Sequence, residues 1–195
     1  MTKRSKHKPT SAFKIRQSAT TSPESMLQDA RTFSIRECRI SADWQNGSGL
    51  VQILLSRQQP NGRICLGSYL VDKFCLGLKN TFAKPNLTID SYKEHYDKMS
   101  SRQTLIHCPV ELAHQMVYEG IDYAAQFDFQ PQSDWAQSQY VLEPRGELEE
   151  PYKLTFGKDG KPFFVSGPYD DVKKIIKQLE KTAGPGNFDV LILQG

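Results

Sequence analysis

The stretch VELAHQMVYEGIDYAAQF, residues 110–127, decides the fold. Val110, Ala113, Met116, Val117, Gly120, Ile121 and Ala124 recur at spacings of three and four, the period that gathers side chains on one face of an α-helix. An apolar stripe this long needs cover along its whole length. The spacing therefore predicts a central helix around which the remaining elements assemble.

N-terminal to that helix, residues 34–43, 50–57 and 63–71 read as three strands. The turn-rich WQNGSG (44–49) and the hairpin signal Pro60-Asn61-Gly62 separate them. Val51, Ile53 and Leu55 share one face of the second strand, with Leu50 and Leu54 on the other, so the sheet should be covered on both sides. Gly67 marks a bulge or a close backbone contact. Asp72 is placed to cap a short helix over 73–82, and a polar helix is expected over 89–100. C-terminal to the central helix, 152–156 and 162–166 read as strands joined by the turn Gly157–Lys161. A helix from Pro168 to about Thr182 and a closing strand over 188–193 complete the chain. The expected class is α+β, with an N-terminal antiparallel β-meander and a C-terminal β-β-α-β unit packed around the central amphipathic helix. One domain is expected over 32–195, after a disordered basic arm over 1–31.

Composition agrees with a globular chain. The 195 residues suffice for one large domain or two small ones. A hydrophobic fraction of 38% with 24% charged residues excludes collagen, a coiled coil and wholesale disorder. No run approaches the roughly 18 apolar residues of a membrane span, so no membrane partner is expected. The net charge of +3 hides an asymmetry: Lys3, Arg4, Lys6, Lys8, Lys14 and Arg16 fall in the first twenty residues without an acid, while the rest carries 19 bases against 22 acids. Such an arm is drawn to polyanions such as RNA. The same segment lacks the apolar core of a secretion signal. Cys38, Cys65, Cys75 and Cys108 include no CxxC pair, which suits four reduced thiols in the cytoplasm better than a zinc site.

Three segments, GSYLVDKFCLGLKNTF (67–82), LAHQMVYEGIDYA (112–124) and FGKDGKPFF (156–164), carry a resemblance. In order and spacing they resemble the successive motifs of a family of uncharacterised bacterial proteins. Its members carry a YLVD-x-x-CLGVKD-like segment, an LAHN-x-x-Y-like helix, a GF-x-PH-x-DF-like turn and an FGKDGKP hairpin. The resemblance spans roughly residues 35–165. It implies one co-folded bacterial domain and no particular activity. Two positions depart from the pattern: the Pro-His of the turn is Pro131-Gln132, and the Asp closing the first motif is Asn80.

Candidate chemistry lies in four places. On the central helix Glu111, His114, Tyr118 and Asp122 share one stripe, where a carboxylate one turn from an imidazole suits a general base or a metal ligand. Cys75 would sit in the first turn of the helix expected after Asp72, where the helix dipole lowers a thiol pKa; His107 or His114 is the candidate base. Lys173, Lys177 and Lys181 line the polar face of the C-terminal helix, a spacing able to track phosphates. Gly157–Lys161 fails as a phosphate loop because Pro162 and a strand follow it. GxSxG, HExxH and dinucleotide fingerprints are missing, so no cofactor and no metal is expected. Three readings stay open. They are a non-enzymatic cytoplasmic module binding RNA or a ribonucleoprotein, a hydrolase using Glu111 and His114 with or without a metal, and a protein-interaction or adaptor domain.

Overall fold

The computed structural model describes residues 22–193, so the six cations of the N-terminal arm lie outside the described residues. The α+β class holds. Strands β1 (Ser34–Ser41), β2 (Leu50–Gln58), β3 (Ile64–Asp72) and β4 (Gly77–Leu87) form an antiparallel meander, and β5 (Leu105–His107) adds to its β1 edge. The sheet order is β4-β3-β2-β1-β5. Helix α3 (Val110–Ala125) covers one face and α2 (Ile89–Ser100) the other, as the two apolar faces of β2 require.

The α3 side holds the main core. Val51, Ile53 and Leu55 of β2 and Tyr69 and Val71 of β3 meet Leu112, Ala113, Met116 and Val117. Helix and sheet approach closely because Gly77 and Gly120 face each other. A Cβ on Gly77 would run into the Gly120 carbonyl and lie 2.7 Å from the Ala124 Cβ. Gly67 is likewise a site of close approach: a Cβ there would run into the Tyr69 hydroxyl, which donates to the Ser138 carbonyl at 2.8 Å. The α2 side is smaller: Tyr92, Tyr96 and Met99 lie on Leu54, Ile64 and Leu66.

Four expectations need correction. The helix over 73–82 is instead a turn followed by β4. Asp72 does cap, its Oδ1 accepting from the Phe74 and Cys75 amides at 3.0 and 3.1 Å. The turn then ends at Gly77, whose φ of 60° returns the chain into a strand paired with β3. Residues 152–156 form no strand; Leu154 and Phe156 lie against the main core. After a one-turn helix α4 (Trp135–Ser138), the C-terminal unit is therefore β6 (Phe163–Val165), α5 (Val172–Thr182) and β7 (Asp189–Leu191), with β6 and β7 parallel. Helix α5 starts at Val172 rather than Pro168 because Asp171 is its N-cap, accepting from the Lys174 amide. Finally, folded structure begins before residue 32. Helix α1 (Pro23–Gln28) and a 3-10 turn at Ala30–Thr32 bring Leu27 and Ala30 into the main core.

Candidate functional site

Of the catalytic candidates, His114 and Tyr118 stand together, ring centroids 4.6 Å apart, whereas Cys75 lies in a separate core cluster. His114 is wholly buried, its Nε2–H donating to the Pro144 carbonyl at 3.0 Å. Tyr118 donates to the Glu143 carbonyl at 3.2 Å, and Asp122 accepts from Arg145 at 2.6 and 2.7 Å. The polar stripe of α3 thus holds residues 143–145 in place. Glu111 is half-buried and makes no ion pair among the described residues. Cys75 is buried against Phe164 and Leu179; burial, reinforced by Asp72, pushes its thiol up rather than down, reversing the expected activation. His107 is exposed on β5. Among the described residues no group of three His, Cys, Asp or Glu side chains is placed to hold a metal ion. Lys173, Lys177 and Lys181 are exposed along α5, with Lys181 Nζ 3.9 Å from Asp128.

A site the sequence did not single out lies on the α2 side of the sheet. Helix α2 covers Leu54, Ile64 and Leu66 but stops short of their neighbours on the same face. Gln52 of β2, Ser68 and Leu70 of β3, and Asn80 and Phe82 of β4 are left as the floor of a trough of about 430 Å³. Its walls are His95, Lys98 and Met99 of α2, Arg102 just beyond it, and Lys84 of β4. Gln52 Nε2 donates to Ser68 Oγ and to the Tyr69 carbonyl at 3.0 and 3.1 Å, which fixes the polar part of the floor. The Phe82 ring is half-buried, its centroid 6.1 Å from that of His95. Lys84, Lys98 and Arg102 are exposed, and none pairs with a carboxylate among the described residues. Among the described residues no acid lines this part of the trough. A second hollow of similar volume continues it past Gln52, Leu70, Met99 and Arg102, and ends at Asp43, which accepts from Gln103 at 2.9 Å.

The trough depends on how α2 is seated. Tyr92 donates to Glu37 of β1, Arg39 pairs with the same carboxylate at 2.6 Å, and the Arg39 guanidinium lies 4.8 Å from the Tyr96 ring centroid. Burial alone would raise the Glu37 carboxyl; the hydrogen bonds from Tyr92 and Arg39 outweigh it and hold the group below its ordinary value. This anchor sets the helix over the far end of the strands and leaves the Gln52–Asn80 end open. A readable signal did exist: His95, Lys98 and Arg102 fall at i, i+3 and i+7, one helical face, while Asn80, Phe82 and Lys84 alternate on one face of a strand.

No family model, curated protein or solved structure matches this chain. Among the described residues no helix is long and apolar enough to cross a membrane.

Proposed function

We propose that the protein is a non-enzymatic cytoplasmic RNA-binding module, and that the trough on the α2 side is its binding surface. The observation that carries this reading is the placement of Lys84, Lys98 and Arg102. Three exposed cations that pair with no carboxylate among the described residues line one trough, on a chain that beyond residue 20 has more acids than bases. Unpaired cations repel one another unless an anion neutralises them. A chain of phosphates is the ligand that meets all three at once. The half-buried Phe82 beside His95 provides a flat partner for an unstacked base, with Asn80 beside it on the trough floor. A trough of about 430 Å³ is at the lower end of small-ligand sites, large enough for a nucleotide. The N-terminal cations and the lysines of α5 add sequence-independent attraction. Four free thiols suit a reducing compartment.

The test is fluorescence anisotropy of a labelled single-stranded RNA against the full chain and the Lys84→Ala, Lys98→Ala, Arg102→Ala triple variant. The reading requires a loss of tenfold or more in affinity. The slope of log affinity against log salt should fall by about 2, from the roughly 0.7 per phosphate contact of single strands. Unchanged affinity in the triple variant overturns it. So does binding lost entirely on removing residues 1–20 and untouched by the trough substitutions. No RNA binding, together with a protein recovered through the same three side chains, would replace this reading with the adaptor one.

A further inference from the structure

We infer that Cys38 and Cys108 form a peroxide-oxidisable thiol pair, a modification site at which a disulfide ties β1 to the end of β5. The register sets this up. Arg39 opposes His107 in the antiparallel β1–β5 ladder, so Cys38 and Cys108 are the next opposed pair, and the Cys108 amide donates to the Cys38 carbonyl at 3.1 Å. Opposed, hydrogen-bonded residues in such a ladder have Cα atoms about 5.5 Å apart, inside the span a disulfide bridges. The two sulfurs already face each other at 3.5 Å. Closing them to bonding distance takes a movement of about 1.5 Å, within the reach of side-chain rotation.

The two thiols differ in the way such a pair needs. Cys108 is half-buried and accessible, whereas Cys38 is 6% exposed within the main core. Either sulfur can donate in the contact between them; when Cys108 is ionised the donor is Cys38, and that hydrogen bond holds the Cys108 thiol below its ordinary value against the opposing effect of burial. Cys65 and Cys75 are fully buried and bond to no sulfur among the described residues; burial pushes Cys65 up to about 12. The four cysteines therefore divide into one reactive pair and two inert core residues.

The chemistry balances with hydrogen peroxide as oxidant. The Cys108 thiolate attacks one peroxide oxygen, the O–O bond breaks, and the departing hydroxide takes up a proton to leave as water. The resulting sulfenic acid at Cys108 is then attacked by Cys38 sulfur, which gives up its proton. An S–S bond forms, the S–O bond breaks, and the second oxygen leaves as water. Two thiols lose two electrons to one peroxide, which becomes two waters.

The experiment uses the full chain, reduced, desalted and treated with equimolar hydrogen peroxide. Free-thiol titration should fall from the four cysteines of the sequence to two, with no change in oligomeric mass. Non-reduced peptide mapping should recover the segment around Cys38 linked to that around Cys108. In Cys38→Ser the Cys108 sulfenic acid has no partner, so a sulfenic-acid trap should label it. In Cys108→Ser, Cys38 should stay reduced. The mapping on the unsubstituted chain stands even if a variant fails to fold. Four thiols surviving treatment, a bridge involving Cys65 or Cys75, or Cys108 over-oxidised beside a free Cys38 would each overturn the assignment.

Discussion

The guanidinium of Arg57, 2% exposed, pairs through Nη2 with Glu143 Oε1 at 2.6 Å, fixing the 138–144 segment to the sheet. The same side chain donates Nε–H to the Val141 carbonyl at 2.8 Å and Nη1–H to the Phe33 carbonyl at 3.0 Å. Arg31 adds bonds to the Leu142 and Gln139 carbonyls, and His114 and Tyr118 take the next carbonyls along. A segment without regular hydrogen bonding is thus satisfied by side chains from the end of β2, the 3-10 turn at Ala30–Thr32 and α3, as buried backbone polar groups require.

Arg57→Ala should destabilise the protein by about 3 kcal/mol or more, since it strands a carboxylate and two carbonyls that had one shared partner. Arg57→Lys should rescue little, because a single ammonium cannot reach three separate acceptors in the geometry of the fork. Urea denaturation followed by circular dichroism measures both. Equal stability of the lysine variant and the unsubstituted chain would contradict the account.

Gly77→Ala should cost about 2 kcal/mol or more, combining a positive φ with overpacking against α3. Gly62→Ala is the internal comparison. Its φ is 81°, but an added Cβ meets nothing within 4 Å, so its cost should be about 1 kcal/mol, the conformational part alone. Thermal melts of the pair separate the two contributions.

Glu37 and Asp72 should pull the pH profile of stability in opposite directions. Glu37 is held below its ordinary value of 4.5 by Tyr92 and Arg39 against the opposing effect of burial. Its contribution is fully present above that value and is lost as pH falls through the lower folded-state value. Tyr92→Phe should weaken this acid-side loss and lower neutral-pH stability by about 1.5 kcal/mol, the scale of a hydrogen bond to a charged group. Chemical denaturation between pH 2.5 and 6, as ~0.5-unit steps, resolves the change.

Asp72 is raised above 3.8 by burial, despite the amides that bond it. Its contribution is fully present below 3.8 and is lost as pH rises through the higher folded-state value. Asp72→Asn keeps the Oδ1 acceptor for Phe74 and Cys75 while removing the buried charge. It should match or exceed the unsubstituted chain in stability at pH 7, whereas Asp72→Ala should lose about 1 kcal/mol with the cap.

Much of the framework was legible in the residues because it is written in local periods. The alternation Val51, Ile53, Leu55, the Pro60-Asn61-Gly62 turn and the stripe from Val110 to Ala124 each mark an element that the fold contains. Strand β4 was hidden because an Asp72 that caps one turn looks the same whether or not a helix follows. The positive φ of Gly77 and the ladder with β3 make it a strand. Three-residue β5 exists only through its pairing with β1, and the Cys38–Cys108 contact depends on that pairing. The trough was legible only in part: His95, Lys98 and Arg102 share one helical face, but a helix over 73–82 does not set Asn80 and Phe82 beside Lys84, Gln52 and Ser68, as the β3–β4 ladder does. His114 and Tyr118 were legible as a polar stripe, but the main-chain carbonyls they serve belong to a segment without a pattern of its own.

The proposed function puts RNA in the open end of the α2 face. Photo-cross-linking of the full chain to a 4-thiouridine-containing single-stranded RNA, with peptide mapping of the adducts, tests it most directly. Adducts on the segments carrying Phe82 and His95, suppressed in the Lys84, Lys98, Arg102 triple variant, are the predicted result. Adducts confined to residues 1–20 or to α5, with the trough segments unmodified, would contradict it.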